Sequence, residues 1–197
     1  MGIEPLGVIE LLWSMLEAVA KGFTTQKKEV FENHVEPLQV RMSAIHKDYI
    51  AGFEEVKRIL KTHEKPTPEL LEFLYERRRE NEHERQLSND LANNLAKLKK
   101  VGIRNDDMEA IKAYATAIAE YFSASGRIGG FSWYTDFIDI VQRNTRAGFH
   151  DVWFTTAISG NLDGELMGSA NQILNQGLPN AFKKISSSYA YLRTRLF

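Results

Sequence analysis

From Phe31 to Leu60 apolar residues return at every third or fourth position: Phe31, Val35, Leu38, Met42, Ile45, Tyr49, Phe53, Val56 and Leu60. An α-helix gathers that spacing on one side, whereas a strand would scatter it over both faces. The series therefore predicts a long helix with one continuously buried face. Thr24 or Thr25 offers a hydroxyl to cap its start. Pro37 interrupts it, because proline lacks an N–H and its ring crowds the carbonyl four residues back. The spacing predicts a kink near Val35–Pro37, or two abutting helices.

After a turn over residues 63–68, Thr67 and Pro68 read as a cap residue followed by a first helical position. The next helix is expected over residues 68–100. Lys97, Lys99 and Lys100 suit the negative end of its dipole, and Gly102 lies beyond it. Inside it, residues 76–86 are polar without exception, and the apolar stripe resumes at Leu87, Leu91, Leu95 and Leu98. Two long helices joined by a short turn pack as an antiparallel hairpin, here spanning residues 24–100.

The remaining segments are shorter. Residues 6–21 carry Val8, Leu11, Leu12, Met15, Leu16 and Val19 at helical spacing, closed by Gly22. Asp106 is placed to cap a helix over residues 107–124, with Met108, Ile111, Ala115, Ile118 and Phe122 on one face. Gly126, Gly129 and Gly130 read as a turn between helices. Ser132 is placed to cap the next helix, which carries Trp133, Phe137, Ile140 and Val141. Residues 152–158 are β-prone by propensity, yet no second strand exists to pair with them, so helix is expected. Helices over residues 162–176 and 179–195 close the chain, with Pro179 at a helix start. The fold class is all-α: a helical bundle with a long antiparallel helical hairpin in the N-terminal half. The 197 residues read as a single helical unit, with a compact, aromatic-rich bundle over residues 103–197 and residues 1–22 packed on it.

Net charge is −1 and the pI about 6.5, so no overall field draws nucleic acid or an anionic membrane. Cysteine is absent, which excludes disulfides and thiolate metal sites and fits a reducing cytoplasm. The first residues lack the basic stretch of a targeting signal, and no apolar run reaches membrane-spanning length. A cytoplasmic protein with no membrane partner is the expectation.

Residues 76–86 are the candidate partner surface. Arg77, Arg78, Arg79 and Arg85 are the groups that could contact phosphate or an acidic protein face, with Glu82 and His83 among them. Internal pairing, such as Arg78 with Glu82 or Glu76 with Arg79, supports an exposed helix by about 0.2–0.5 kcal/mol per pair. The balance of signs disfavours a phosphate-binding stripe. Glu80 and His83 have the Glu-x-x-His spacing of di-iron bundles, but such sites need a second copy and further carboxylates. No metal and no cofactor are expected. The leading expectation is a non-enzymatic interaction or regulatory protein acting through the charged hairpin, as a homo-oligomer or with another protein.

A competing expectation centres on Arg143, Asn144 and His150. The segment Arg143-Asn144-Thr145-Arg146-Ala147-Gly148-Phe149-His150 resembles the motif of HEPN (higher eukaryote–prokaryote nucleotide-binding) ribonucleases, which are also all-helical. The resemblance covers eight residues. It implies metal-independent RNA cleavage, with His150 as acid or base and Arg143 steadying charge on the phosphate. Gly148 sets against it the question of whether the helix continues through the motif.

Overall fold

The computed structural model describes Lys28 and residues 31–62, 68–97, 105–128, 130–150 and 162–196; for residues 84, 87–97, 105, 143–150 and 162–163 it describes the backbone alone. Among the described residues the regular structure is entirely helical. A π-helical turn, π1 (Phe31–Val35), leads into α1 (Glu36–Thr62). Then come α2 (Pro68–Lys97), α3 (Asn105–Tyr121) and α4 (Trp133–His150). The last stretch runs from α5 (Leu162–Gln172) through a second π turn, π2 (Ile173–Gly177), into α6 (Leu178–Leu196). No helix among the described residues is long and apolar enough to cross a membrane. The expected helix over residues 6–21, its Gly22 stop, the Thr24 or Thr25 cap, the Lys99–Gly102 terminus and the β-prone residues 152–158 lie outside the described residues.

Both π turns end two residues before a proline. π1 closes at Val35 ahead of Pro37, and π2 closes at Gly177 ahead of Pro179. A proline in a continuing helix would drive its ring into the carbonyl four residues back, here Asn33 and Asn175. Opening the turn by one residue relieves that conflict without ending the helix. At π2 the wider bond is explicit: the Leu178 N–H donates to the Ile173 carbonyl. The kink predicted at Val35–Pro37 is thus a π turn, and the break expected between residues 176 and 179 is a continuous helix with one widened turn.

The apolar ridge predicted for α1 is buried along its length, with Leu38, Met42, Tyr49, Phe53 and Val56 fully enclosed. The face predicted for α3, Met108, Ile111, Ala115, Ile118 and Phe122, is buried as well. These residues join Leu70 and Leu74 of α2 and Leu178, Ile185 and Leu192 of α6 in one core. Burying each such side chain contributes about 1.5–3 kcal/mol. The ridge of α1 is therefore covered within the chain. α3 packs most extensively on α6, and α2 rests chiefly on α3 and α4 rather than along α1. The ridge of α1 and Leu70 and Leu74 of α2 thus belong to one common core.

The start of α4 locks the core together. Ser132 Oγ accepts the Thr135 N–H at 3.1 Å, the cap expected there. Trp133 then donates its Nε1–H to the Tyr121 carbonyl at 2.7 Å, fixing α4 to the end of α3. Tyr134 stacks on Tyr49, with centroids 5.1 Å apart, and on Phe53, at 5.0 Å. Each of the two rings sits over a helical glycine. A Cβ on Gly177 would lie 2.7 Å from the Trp133 ring, and one on Gly52 would overlap the Tyr134 hydroxyl. Trp133, Tyr134 and Phe137 are buried, whereas Phe131 is 68% exposed.

A second tie meets Tyr121 through its side chain. His46 of α1 stacks on Phe182 of α6 at 4.2 Å, and its Nδ1 lies 3.1 Å from the Tyr121 hydroxyl of α3. Burial lowers the His46 pKa. The fold therefore favours the neutral ring, and the unfolded chain binds more protons in the window below the ordinary histidine value. Stability contributed by this group is present above that value and falls as pH drops toward the depressed one. Urea midpoints measured between about pH 7 and pH 5 are expected to fall less steeply for His46→Gln than for the parent chain. Equal slopes would show that His46 does not carry the acid sensitivity.

Candidate functional site

α2 continues unbroken through the polar residues 76–86. Its inward register explains why. Leu70, Leu74, Arg77, Asn81 and Arg85 follow one another at steps of four, three, four and four residues, so they share one side of the helix. Leu70 and Leu74 fill the core, and the same side is then carried on by two arginines that are only 21% and 19% exposed.

Arg77 reaches α1. Its Nη2 lies 2.5 Å from an Asp48 carboxylate oxygen and 3.4 Å from the Asp48 carbonyl. Its Nη1 donates to Glu80 at 2.8 Å. Its Nε is buried near the Tyr134 hydroxyl, both of them over the bare Cα of Gly52. Burial works against the guanidinium charge, but Asp48 and Tyr134 together outweigh it and hold the Arg77 pKa above its ordinary value. The Tyr134 phenol is pushed up to about 12, by burial first and against the pull of Arg77.

Arg85 reaches the α3–α4 connection. Its Nη1 donates to the Gly130 carbonyl at 2.9 Å, while Nε and Nη2 grip Glu82 at 3.1 and 2.5 Å. That bond to Arg85 holds the Glu82 carboxyl below its ordinary range. Asn81 donates back to the Arg77 carbonyl at 3.0 Å. Further toward the start of α2, the Tyr75 hydroxyl accepts from Gln142 of α4. The contacts pair higher positions on α2 with lower ones on α4, so the two helices run antiparallel.

The candidate residues thus divide in two. Arg77, Arg85 and Glu82 are committed to contacts within the chain. Arg79 and His83 are exposed, with Tyr75, Glu76 and Gln86 along the outer side, and Arg78 is half-buried between the two sets. Of the pairs expected from spacing, Arg78 still acts on Glu82 through its charge, but the bonded pairs are Arg77–Glu80 and Arg85–Glu82. The reason is reach: the arginines at 77 and 85 have carboxylate or carbonyl partners on neighbouring segments as well as along α2. Asp48 was not singled out from sequence and Gly130 was read only as part of a turn, although the shared register of Arg77 and Arg85 with Leu70 and Leu74 was there to be read. Among the described residues no group of three His, Asp or Glu side chains converges as a metal site would require.

For the ribonuclease motif the backbone answers one question. α4 is helical through Gly148 to His150. Arg143 and His150, seven residues apart, therefore lie two turns apart on one side of the same helix. The side chains of Arg143, Asn144 and His150 are outside the described set.

A groove of about 470 Å³ lies on α2 itself, lined by Leu71, Tyr75, Glu76 and Arg79, and others lie elsewhere on the described surface. One of about 640 Å³ runs between α3 and α6, where Lys184 pairs with Glu120 at 3.2 Å. Another, of about 340 Å³, adjoins Trp133 and the π2 turn. Comparison with protein-family models, with curated proteins and with solved structures finds no match to this chain.

Proposed function

We propose that this is a non-enzymatic interaction or regulatory protein that presents the outer side of α2 to a protein partner, a second copy of the chain included. The observation behind this reading is the division of the charged stretch. Arg77 and Arg85 pin the helix inward at two points, which leaves Arg79 and His83 displayed on a rigid support, beside the part-exposed ring of Tyr75, whose hydroxyl is bonded to Gln142 of α4. Tyr75 is 42% exposed. Tyrosine and arginine are the residue types that dominate protein-binding hot spots, and a preorganised helix loses little entropy on docking. Because the α1 ridge is covered, self-association on this reading runs through charged and aromatic groups. A cysteine-free chain suits a reducing compartment, so the cytoplasm is the location this reading expects.

The test places a photo-crosslinking side chain at position 79 and, as a control, at position 112 of α3. A discrete crosslinked species from position 79 alone is the expected result, together with a lower mass by light scattering for Arg79→Glu if the partner is a second copy. Crosslinks from both positions, or from neither, would overturn the reading.

The helical continuity of α4 favours one second reading, a HEPN-like metal-independent ribonuclease using Arg143, Asn144 and His150. It expects single-stranded RNA to be cleaved in the presence of a chelator, and His150→Ala to remove that activity without changing the melting temperature. An inert parent chain would end it.

A further inference from the structure

The cavity beside π2 is chemically one-sided. Its walls come from α4, the α3–α4 connection and the C-terminal helix, and it holds about 340 Å³, within the range of small-molecule sites. Asp136 is the one ionisable group in its lining. Among the described residues no cation pairs with the Asp136 carboxylate, and no lysine or arginine lines the cavity.

The lining also holds three exposed carboxamide residues, Gln172, Gln176 and Asn180, at steps of four. In a regular α-helix a step of four drifts away from the starting side at each repeat. The widened π2 turn, which lies between Gln172 and Asn180, absorbs that drift. Insertions of this kind recur at functional sites because they re-aim side chains. Trp133, 4% exposed, borders the cavity, held against Gly177 and by its bond to Tyr121.

We infer that this cavity binds a small organic cation bearing a guanidinium group. A planar guanidinium matches a carboxylate through two parallel N–H bonds and leaves further N–H groups for carboxamide oxygens. Anions are disfavoured by Asp136, and a lone carboxylate is too little for a divalent metal, which takes six or more oxygen ligands. The carboxamides are orientable, so they offer their oxygens to such a donor-rich ligand.

Agmatine is a suitable probe. The chain has three tryptophans, so a Trp13→Phe/Trp153→Phe background leaves Trp133 as the reporter. Titration with agmatine is expected to give a saturable change in Trp133 fluorescence, matched by a calorimetric signal in the parent chain. Asp136→Asn is expected to weaken binding by about tenfold or more. Asp139→Asn, exposed on the same helix outside the cavity, is expected to leave it unchanged. Gln176→Leu, on the exposed side of the C-terminal helix, serves if Asp136→Asn fails to fold, and is expected to weaken binding severalfold. The inference is overturned if agmatine gives no saturable signal, if the folded Asp136→Asn variant binds as tightly as the parent, or if Asp139→Asn weakens binding equally.

Discussion

Replacing Trp133 with alanine is expected to destabilise the fold by about 3–5 kcal/mol, the range for deleting a large buried aromatic. That is a large share of the roughly 5–15 kcal/mol that holds an ordinary domain together. The loss has three parts. The indole fills space between α3, α4 and π2; its N–H satisfies the Tyr121 carbonyl; and its ring lies against Gly177. Gly177→Ala tests the same contact from the other side. Alanine favours a helix over glycine by about 1 kcal/mol. Here its Cβ would meet two ring carbons at 2.7 and 2.9 Å, and the ring is tethered by its N–H and cannot slide away. Overpacking of this kind costs about 1–3 kcal/mol, so the clash wins and Gly177→Ala is destabilising. Without the indole the clash is gone. In a Trp133→Ala background the added Gly177→Ala change is expected to be neutral or stabilising, giving the non-additivity of groups in contact. Chemical denaturation of the four chains measures it. Additive effects would show that the ring does not rest on Gly177.

The long helices were legible because their apolar residues recur on one face with no competing pattern. Leu38 through Leu60 and Met108 through Phe122 are buried as their spacing requires. Ser132 was legible as a cap from its hydroxyl and its place ahead of an apolar run. The π turns were not. A proline announces a conflict with the turn before it, yet a kink, a break and a widened turn all relieve that conflict. The choice depends on what the continuing helix packs against, and Trp133 over Gly177 is a contact between positions distant in sequence. The outward and inward members of the charged stretch were separable in principle by helical register. What register does not give is the partner: Asp48 lies on α1 and Gly130 in a loop, and only the packing of α2 brings Arg77 and Arg85 to them. The cavity beside π2 escaped the sequence reading for the same reason, since Asp136 and Gln176 belong to different helices.

Arg77→Met is expected to cost about 2 kcal/mol, while Arg79→Met, two positions along the same helix, stays within about 0.5 kcal/mol of the parent. Both changes keep an unbranched side chain and remove one positive charge. They differ in what the charge does. Arg77 bonds Asp48 and Glu80 and lies nearly enclosed over Gly52, whereas Arg79 is exposed. Charge-assisted bonds contribute about 1.5–3 kcal/mol net when shielded. Asp48 and Glu80 are about half exposed and regain water when Arg77 is lost, which keeps the cost near the lower end of that range. Lysine should not restore stability, because a single ammonium cannot reproduce a planar fork that serves Asp48 and Glu80 from separate nitrogens. The Asp48→Asn/Arg77→Met double variant is expected to be less destabilised than the sum of its parts by at least about 0.5 kcal/mol. Should Arg77→Met prove no worse than Arg79→Met, α2 would not be anchored through its charges. The displayed side of α2 would then lose the rigid support on which its role as a partner surface rests.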